Sequence, residues 1–216
     1  MFVAFADAQR AHTTSERAVV FPERGLFGVA AGPLRDLDVL VSALDAGTRT
    51  SNSADDIAEV IDGVDAELRE RYGPVAEHPH GRRVDETLGV SLALALAEVD
   101  ALAFFHVGAA RAVLWNEPAL AMHAIMRNVA RPNDARLGLA SGPIRFARMY
   151  ASRGAVATLF TAGCFSRRDD SQLRACLRPR DLAATAQRLV EAGKARTEDE
   201  PATAVVIRVD EEPRIR

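Results

Sequence analysis

The first thirty residues contain three short apolar stretches separated by polar turns. The segments FVAFADA (2–8), RAVVF (17–21) and GLFGVA (25–30) are rich in apolar, β-branched and aromatic residues, which is typical of β-strands. Between the last two, the sequence FPERG places Pro22 and Gly25 where the chain has to turn tightly. The pattern predicts three strands, the second and third joined in a hairpin.

Two amphipathic helices follow these strands. The segment 34–47 repeats apolar residues at helical spacing and ends at Gly47, and the segment 51–72 opens with polar and acidic residues that suit a helix N-terminus. The apolar positions are Leu34, Leu37, Leu40, Val41 and Leu44 in the first helix, and Ile57, Val60, Ile61, Val64 and Leu68 in the second. The spacing predicts that each helix buries one face.

A long apolar region occupies the middle of the chain, after a polar loop at 73–83. Residues 88–115 read LGVSLALALAEVDALAFFHVGAARAVLW, and breaks at EVD and GAA divide them into three strands. A continuous apolar run of this kind is typical of strands inside a buried sheet. The region 116–152 is less regular, and within it the segment PALAMHAIMRNVA (118–130) predicts a short helix.

The C-terminal part predicts a strand at 155–163, helices at 170–177 and 178–193, and a closing strand at 203–210. The second of these helices has Pro179 near its start and Gly193 at its end. The total is about eight strands, mostly in hairpins, and four helices grouped in pairs. Because helices and strands do not alternate strictly, the pattern favours an α+β layered sandwich over a doubly wound parallel sheet.

Composition and charge fit a single domain spanning residues 1–216. The chain is 48% hydrophobic and has a formal net charge of −3, so it can bury a sizeable core and has no basic field to attract nucleic acid or an anionic membrane. Its N-terminus lacks the features of a signal peptide, and no segment approaches the ~18 apolar residues of a membrane span. Cys164 and Cys176 are too few for a disulfide framework, so we expect reduced thiols and a cytoplasmic protein.

Five phrases, in the right order and at compatible spacing, resemble the metal-dependent Ser/Thr protein phosphatases, the PPM or type-2C family, in a degenerate form of bacterial type. They are GLFGVAAG (25–32), LGVSL (88–92), HVGAARAVLW (106–115), GAVATLFTAGCF (154–165) and EPATAVVIRV (200–209). The resemblance covers roughly residues 2 to 210. It implies a four-layer αββα sandwich, with two antiparallel β-sheets packed face to face and helices outside.

The resemblance also implies a chemistry, which resides in acids at the strand ends. Two Mn²⁺ or Mg²⁺ ions bridged by a carboxylate activate a water that attacks the phosphoryl group. Such hard cations prefer oxygen ligands, chiefly carboxylates and water. A pair of ions about 4 Å apart lowers the pKa of the bridging water and offsets the charge of the phosphate.

Carried over position by position, this site is degenerate in the present chain. The family's bridging aspartate falls on Ala31, and three further aspartates of the family phrases fall on Ala109, Ala162 and Glu200. The matched positions that retain an oxygen donor are Glu16, near the family's N-terminal acidic phrase, the Gly32 carbonyl, and Glu200, which Pro201 follows where the family has Asn. Asp36 and Asp38 lie on the following helix and are expected to point elsewhere.

The substitutions predict a protein without catalytic residues or a bound metal. A methyl group cannot donate an oxygen, and replacing clustered carboxylates by alanine removes repulsion that the metals would otherwise offset. We therefore predict a pseudophosphatase that binds a protein partner, a kinase or a phosphoprotein being the candidates, and acts as a regulator or scaffold. The residues leave two alternatives open: a Mn- or Mg-dependent phosphatase with altered or residual activity, and a structural subunit of a larger assembly.

Other chemically notable residues have simpler interpretations. Glu77, His78 and His80 could begin a zinc site, but no further ligand is near in sequence, so a solvated loop is favoured. His106 ends an apolar strand and is interpreted as a core histidine, and His123 as a helix-surface or core-edge residue.

Three further sets of residues also have simple structural interpretations. Cys164 lies at the rim of the expected cleft, but the sequence offers no base to activate it, so a small buried residue is favoured. Arg167 and Arg168 could face a phosphate but fit a solvated turn. Thr13, Thr14 and Ser15 could accept a phosphate but fit a polar loop.

Overall fold

The α-helices form two pairs, as the amphipathic patterns predict. The computed structural model describes residues 2–10, 15–49, 53–73, 88–116, 121–124, 136–139, 144–164, 170–194 and 201–210. Within these ranges the helices are α1 (Leu34–Gly47), α2 (Ala54–Tyr72), α3 (Asp170–Cys176) and α4 (Leu182–Lys194). None of the helices in the described ranges is both long enough and apolar enough to cross a membrane.

The first helix pair shows how local sequence sets the helix bounds. Ser53 and Asp56 form a reciprocal capping box at the start of α2, in which each side chain accepts a hydrogen bond from the other's backbone N–H at 3.1 Å. The apolar stripes face inward: the buried residues are Leu37, Leu40 and Leu44 in α1, and Ile57, Ile61, Val64 and Leu68 in α2. Of the other residues expected in these stripes, Val41 and Val60 are only partly buried and Leu34 is exposed.

Ten strands within the described ranges form two antiparallel sheets. They are β1 (Phe2–Arg10), β2 (Glu16–Phe21), β3 (Leu26–Ala31), β4 (Ser91–Ala97), β5 (Ala101–Val107), β6 (Arg111–Asn116), β7 (Ala121–Ala124), β8 (Arg145–Tyr150), β9 (Val156–Phe160) and β10 (Ala202–Asp210). One sheet has the order β1-β10-β9-β6-β7 and the other β2-β3-β4-β5-β8. The predicted hairpin of β2 and β3 turns through a short 3₁₀ segment, Pro22–Arg24, and Gly25 follows with a φ of 65°.

The two sheets and the two helix pairs stack as four layers with three apolar interfaces. One cluster joins α1 and α2 to the β2–β3–β4–β5 side, for example Leu40, Ile61 and Leu94. A second fills the space between the sheets, for example Phe27, Phe104 and Ile207. A third joins α3 and α4 to the other sheet, for example Leu173, Leu189 and Val206. The α+β sandwich and its αββα layering are therefore as predicted.

Two of the predicted elements were wrong in type or bounds, and one strand was missed. The helix predicted at 118–130 is replaced at 121–124 by β7, whose pairing with β6 overrides the helical pattern, and the rest of that segment lies outside the described residues. Strand β8 was not predicted. The helix expected from 178 begins at Leu182, because Pro179 lies in a turn and Asp181 caps the helix by accepting the Ala184 N–H at 2.9 Å.

Candidate active-site cavity

A cavity of about 450 Å³ lies where strand ends of both sheets meet. Its lining is dominated by small apolar side chains and glycines. The residues that line it are Ser15, Glu16, Ala31, Gly32, Pro33, Ser91, Ala109, Ala110, Arg136, Ala162, Gly163 and Pro201. Five of the six positions predicted from the sequence, Glu16, Ala31, Gly32, Ala109 and Ala162, are thus brought together. The sixth, Glu200, lies outside the described residues.

The floor of the cavity is a row of three residues on adjacent strands. Glu16 of β2 pairs with Ala31 of β3, and Ala31 pairs in turn with Ser91 of β4. Beyond this row the Gly32 N–H donates to the Ser15 carbonyl oxygen at 2.8 Å. Position 32 has no room for a side chain, because a Cβ built there would lie 2.7 Å from the Gly89 carbonyl oxygen. The methyl group of Ala31 therefore occupies the centre of a tightly fixed strand end.

Glu16 is held by a hydroxyl group from the opposite sheet. The Thr161 hydroxyl, just after β9, donates to Oε2 of Glu16 at 2.8 Å. The same hydroxyl oxygen accepts the Thr203 N–H at 3.0 Å, and the Thr161 N–H donates to the Thr203 carbonyl oxygen at 3.0 Å. Thr161 is fully buried. These bonds fix the hydroxyl and, through it, the orientation of the Glu16 carboxylate.

The turn after β5 forms another side of the cavity. The Ala109 N–H donates to the Ser91 hydroxyl oxygen at 3.2 Å. Nε2 of His106 lies 2.5 Å from the Ala110 carbonyl oxygen, which requires that this nitrogen carry the proton. Burial, together with the charges of Arg111 and Arg145, holds the pKa of His106 below its ordinary value. His106 is thus a buried, neutral residue that shapes the turn, in keeping with its interpretation as a core histidine.

Arg136 brings a cation to the cavity wall. Its guanidinium donates to the Leu88 carbonyl oxygen at 3.0 Å. The same side chain lines an adjoining cavity of about 320 Å³, together with Asp62 and Asp65 of α2. Arg136 was missed in the sequence because it lies in the irregular region 116–152. Thr161 was missed as well, although a hydroxyl residue at the end of an apolar strand, next to Ala162, was a readable signal.

Comparison with solved structures identifies the fold. PppA, described as a key regulatory component of T6SS in Pseudomonas aeruginosa, aligns with a TM-score of 0.77 over 96% of this chain and 98% of its own, at 20% identity. The catalytic domain of the serine/threonine phosphatase PstP, in complex with two manganese ions, aligns with a TM-score of 0.74 over 97% and 99%, at 15% identity. MsPP, a PPM Ser-Thr phosphatase from Mycobacterium smegmatis in complex with cacodylate, gives 0.72 over 96% and 97%, at 14% identity.

The chain has the PPM phosphatase fold. The likeness lies in the structure, since no family model and no curated protein matches the sequence. It agrees with the resemblance drawn from the five sequence phrases.

The donor groups of the described residues that line the cavity do not fit the pair of divalent ions that the resemblance implies. Among the described residues Glu16 supplies a carboxylate, while Ala31, Ala109 and Ala162 supply methyl groups. No group of three or more His, Cys, Asp or Glu residues in the described part of the chain is arranged to hold a metal ion. Two such ions require several carboxylate oxygens.

The two acids of α1 do not compensate for the missing ligands. Asp36 is buried and accepts hydrogen bonds from the Tyr72 hydroxyl and, at 3.2 Å, from the Arg71 guanidinium. Asp38 forms an ion pair with Arg17 at 2.8 Å. Neither residue lines the cavity. The expectation that both carboxylates point elsewhere is confirmed.

The remaining candidates lie elsewhere or cannot be placed. Cys164 is fully buried rather than at the cavity rim, and its thiol lies 3.4 Å from the Thr203 carbonyl oxygen. Ser15 lines the cavity. The candidates that fall outside the described residues are Thr13, Thr14, Glu77, His78, His80, Arg167 and Arg168. His123 lies on β7 rather than on a helix, and its side chain is likewise outside the description.

Proposed function

We propose that this protein is a pseudophosphatase, a PPM-fold protein without metal-dependent catalysis that acts as a regulatory or scaffolding partner of another protein. The observation that carries the proposal is the cavity lining. Three alanines, at positions 31, 109 and 162, occupy places where the resemblance expects aspartates, and Glu16 is the one described carboxylate beside them.

The chemical consequence follows from the acidity of water. A metal ion lowers the pKa of a bound water from about 15.7 to about 7, and without it hydroxide is too scarce at neutral pH to attack a phosphoryl group. Within the described residues no imidazole, thiol or second carboxylate lines the cavity to act as a substitute base. His106 is committed to the Ala110 carbonyl oxygen and is kept neutral by burial.

A regulatory role agrees with one of the structural neighbours. PppA, which shares the fold over nearly the whole of both chains, is described as a key regulatory component of T6SS. We infer for the present chain only the general class of function, in which the folded domain binds a protein partner such as a kinase or a phosphoprotein.

Residual phosphatase activity is the competing hypothesis, and Glu16 is the observation that favours it. Its carboxylate lies in the cavity beside Gly32. Together with Glu200 it could hold a single divalent ion weakly. The two hypotheses differ in what they predict for Mn²⁺ binding and for turnover.

Calorimetric titration with MnCl₂ and hydrolysis of p-nitrophenyl phosphate separate the two hypotheses. We expect no saturable Mn²⁺ binding and no Mn²⁺-dependent hydrolysis by the full chain. Glu16→Gln and Glu200→Gln serve as matched variants, because each keeps the size of the side chain and removes its charge. Turnover that requires Mn²⁺ in the unmodified protein and disappears in both variants would establish the phosphatase and refute the pseudophosphatase.

A further inference from the structure

Strand β8 lies at one edge of its sheet as far as the described strands go. Among the described strands it hydrogen-bonds only with β5. An open strand edge offers unpaired backbone N–H and C=O groups to another strand, and proteins usually protect such edges. The outer edge of β8 is therefore a candidate surface for pairing with another strand.

The side chains at this edge are unusually apolar. Phe146 is 50% exposed and Tyr150 is 70% exposed, and Val99 in the neighbouring β4–β5 turn is 89% exposed. These are the most exposed large apolar side chains in the described part of the chain. Because side chains alternate along a strand, Phe146 and Tyr150 share one face, which also carries Arg148. The ring of Phe146 lies against buried Phe105, with centroids 5.3 Å apart.

The charge of Arg148 is drawn away from the open edge. Its guanidinium forms a 2.7 Å ion pair with Glu98, which follows β4 on the far side of β5. An arginine on an edge strand ordinarily discourages pairing with another strand. Here the ion pair with Glu98 offsets the charge of Arg148, although the side chain itself is still exposed. The paired arginine therefore opposes strand pairing less than an unpaired one would.

These features are self-complementary. When two copies of β8 lie antiparallel about a two-fold axis at Arg148, Phe146 of each copy is opposite Tyr150 of the other. Aromatic cross-strand pairs of this kind are stabilising, and each occurs twice because of the symmetry. The two Arg148 side chains lie opposite each other at the axis. Their mutual repulsion is reduced because each forms an ion pair with its own Glu98.

We propose that β8 is a homodimerisation edge, which pairs with β8 of a second copy in this register. The pairing joins the β2-β3-β4-β5-β8 sheets of the two copies into one continuous sheet and covers Phe146 and Tyr150. The surface is distinct from the cavity, so the dimer and the pseudophosphatase can each fail without the other.

Sedimentation equilibrium of the purified full chain over a wide concentration range tests the dimer. We expect reversible dimerisation, and Phe146→Glu should weaken it about tenfold or more because each substitution alters two cross-strand pairs. Tyr150→Glu should weaken dimerisation to a similar extent, and it leaves the packing of Phe146 against Phe105 in place. Phe5→Glu is the matched control, since Phe5 also lies on an edge strand against a buried ring, that of Phe27 at 5.4 Å. A monomer at every concentration, or an equal effect of Phe5→Glu, overturns the proposal.

Disulfide trapping tests the register. In an Arg148→Cys variant the two new thiols are directly opposite, with Cα atoms about 4.5–5.5 Å apart, which a disulfide can span. In an Ala147→Cys variant, residue 147 of one copy is opposite residue 149 of the other, so the two new cysteines are diagonal neighbours. Their Cα atoms are about 7–8 Å apart, and a disulfide is not expected to form. The native Cys164 and Cys176 are buried and should contribute little background. Efficient cross-linking at 148 alone supports the register, and equal cross-linking at 147, or none at 148, overturns it.

Discussion

The Glu16 carboxylate and the Thr161 hydroxyl form a 2.8 Å hydrogen bond that links the two sheets across the cavity. Glu16 belongs to β2 of one sheet, and Thr161 follows β9 of the other. The neutral hydroxyl of Thr161 thus makes a direct connection between the two sheets beside the cavity.

Removing that hydroxyl should destabilise the fold. Thr161→Val keeps the shape of the buried side chain but leaves the Thr203 N–H and one Glu16 oxygen without the partner they have now. We expect a loss of about 1–3 kcal/mol in the free energy of unfolding, measured by urea titration. Glu16→Gln is the matched variant, because its amide oxygen still accepts the hydroxyl hydrogen, and it should cost clearly less. Equal stability of Thr161→Val and the unmodified protein would contradict the cross-sheet role.

Restoring acids to the cavity should create a metal response. In an Ala31→Asp/Ala162→Asp variant, the new carboxylate at 31 is directly opposite Glu16, so the variant should be less stable than the unmodified protein without metal. Mn²⁺ should then stabilise it, by about 2.7 kcal/mol at a hundred times the dissociation constant.

Thermal unfolding with and without MnCl₂ measures this response. The control is Ala31→Asn/Ala162→Asn, which has the same size without charge and should show no shift, as should the unmodified chain. A similar Mn²⁺ stabilisation of the unmodified protein would show that its own donors suffice to hold the ion.

His106 should make stability depend on pH. Its pKa is held below the ordinary value of 6.5 by burial and by Arg145 and Arg111, so the unfolded chain binds a proton there more readily than the folded one. The contribution of neutral His106 to the free energy of unfolding is therefore at its full value above about pH 6.5. It is lost as pH falls from there toward the folded-state pKa, with a slope of up to about 1.4 kcal/mol per pH unit.

Urea unfolding at a series of pH values measures that slope. His106→Gln retains a side-chain N–H for the Ala110 carbonyl oxygen and cannot titrate, so its slope in the same interval should be smaller by that amount. An unchanged slope would assign the pH dependence to other groups, since the chain contains five histidines in all.

Two glycines with opposite surroundings give a paired test of packing. At Gly163, beside the cavity, an added Cβ would lie 1.9 Å from the Pro201 carbonyl oxygen, so Gly163→Ala must displace backbone and should cost several kcal/mol. At Gly63, within α2, a Cβ meets nothing within 4 Å, so Gly63→Ala should stabilise by about 0.5–1 kcal/mol. Urea unfolding of both variants measures the two effects. A tolerated Gly163→Ala would mean that the turn carrying Ala162 is not tightly fixed.

The sequence by itself determined the helices whose apolar residues repeat at helical spacing. It also determined the cavity positions that belong to a family phrase. The apolar repeats fixed α1 at 34–47 and, with the Ser53 cap, α2, because helical spacing and capping are local properties. The family phrases located Ala31 and Ala162, since each lies at a fixed distance from a strand end. Only the tertiary structure decided that 121–124 is a strand and that β8 completes a sheet edge, because strand formation there depends on a partner distant in sequence. The same is true of Arg136, which lines the cavity from an irregular region, and of the partner of Thr161, since the Glu16 carboxylate that its hydroxyl contacts lies 145 residues away in sequence.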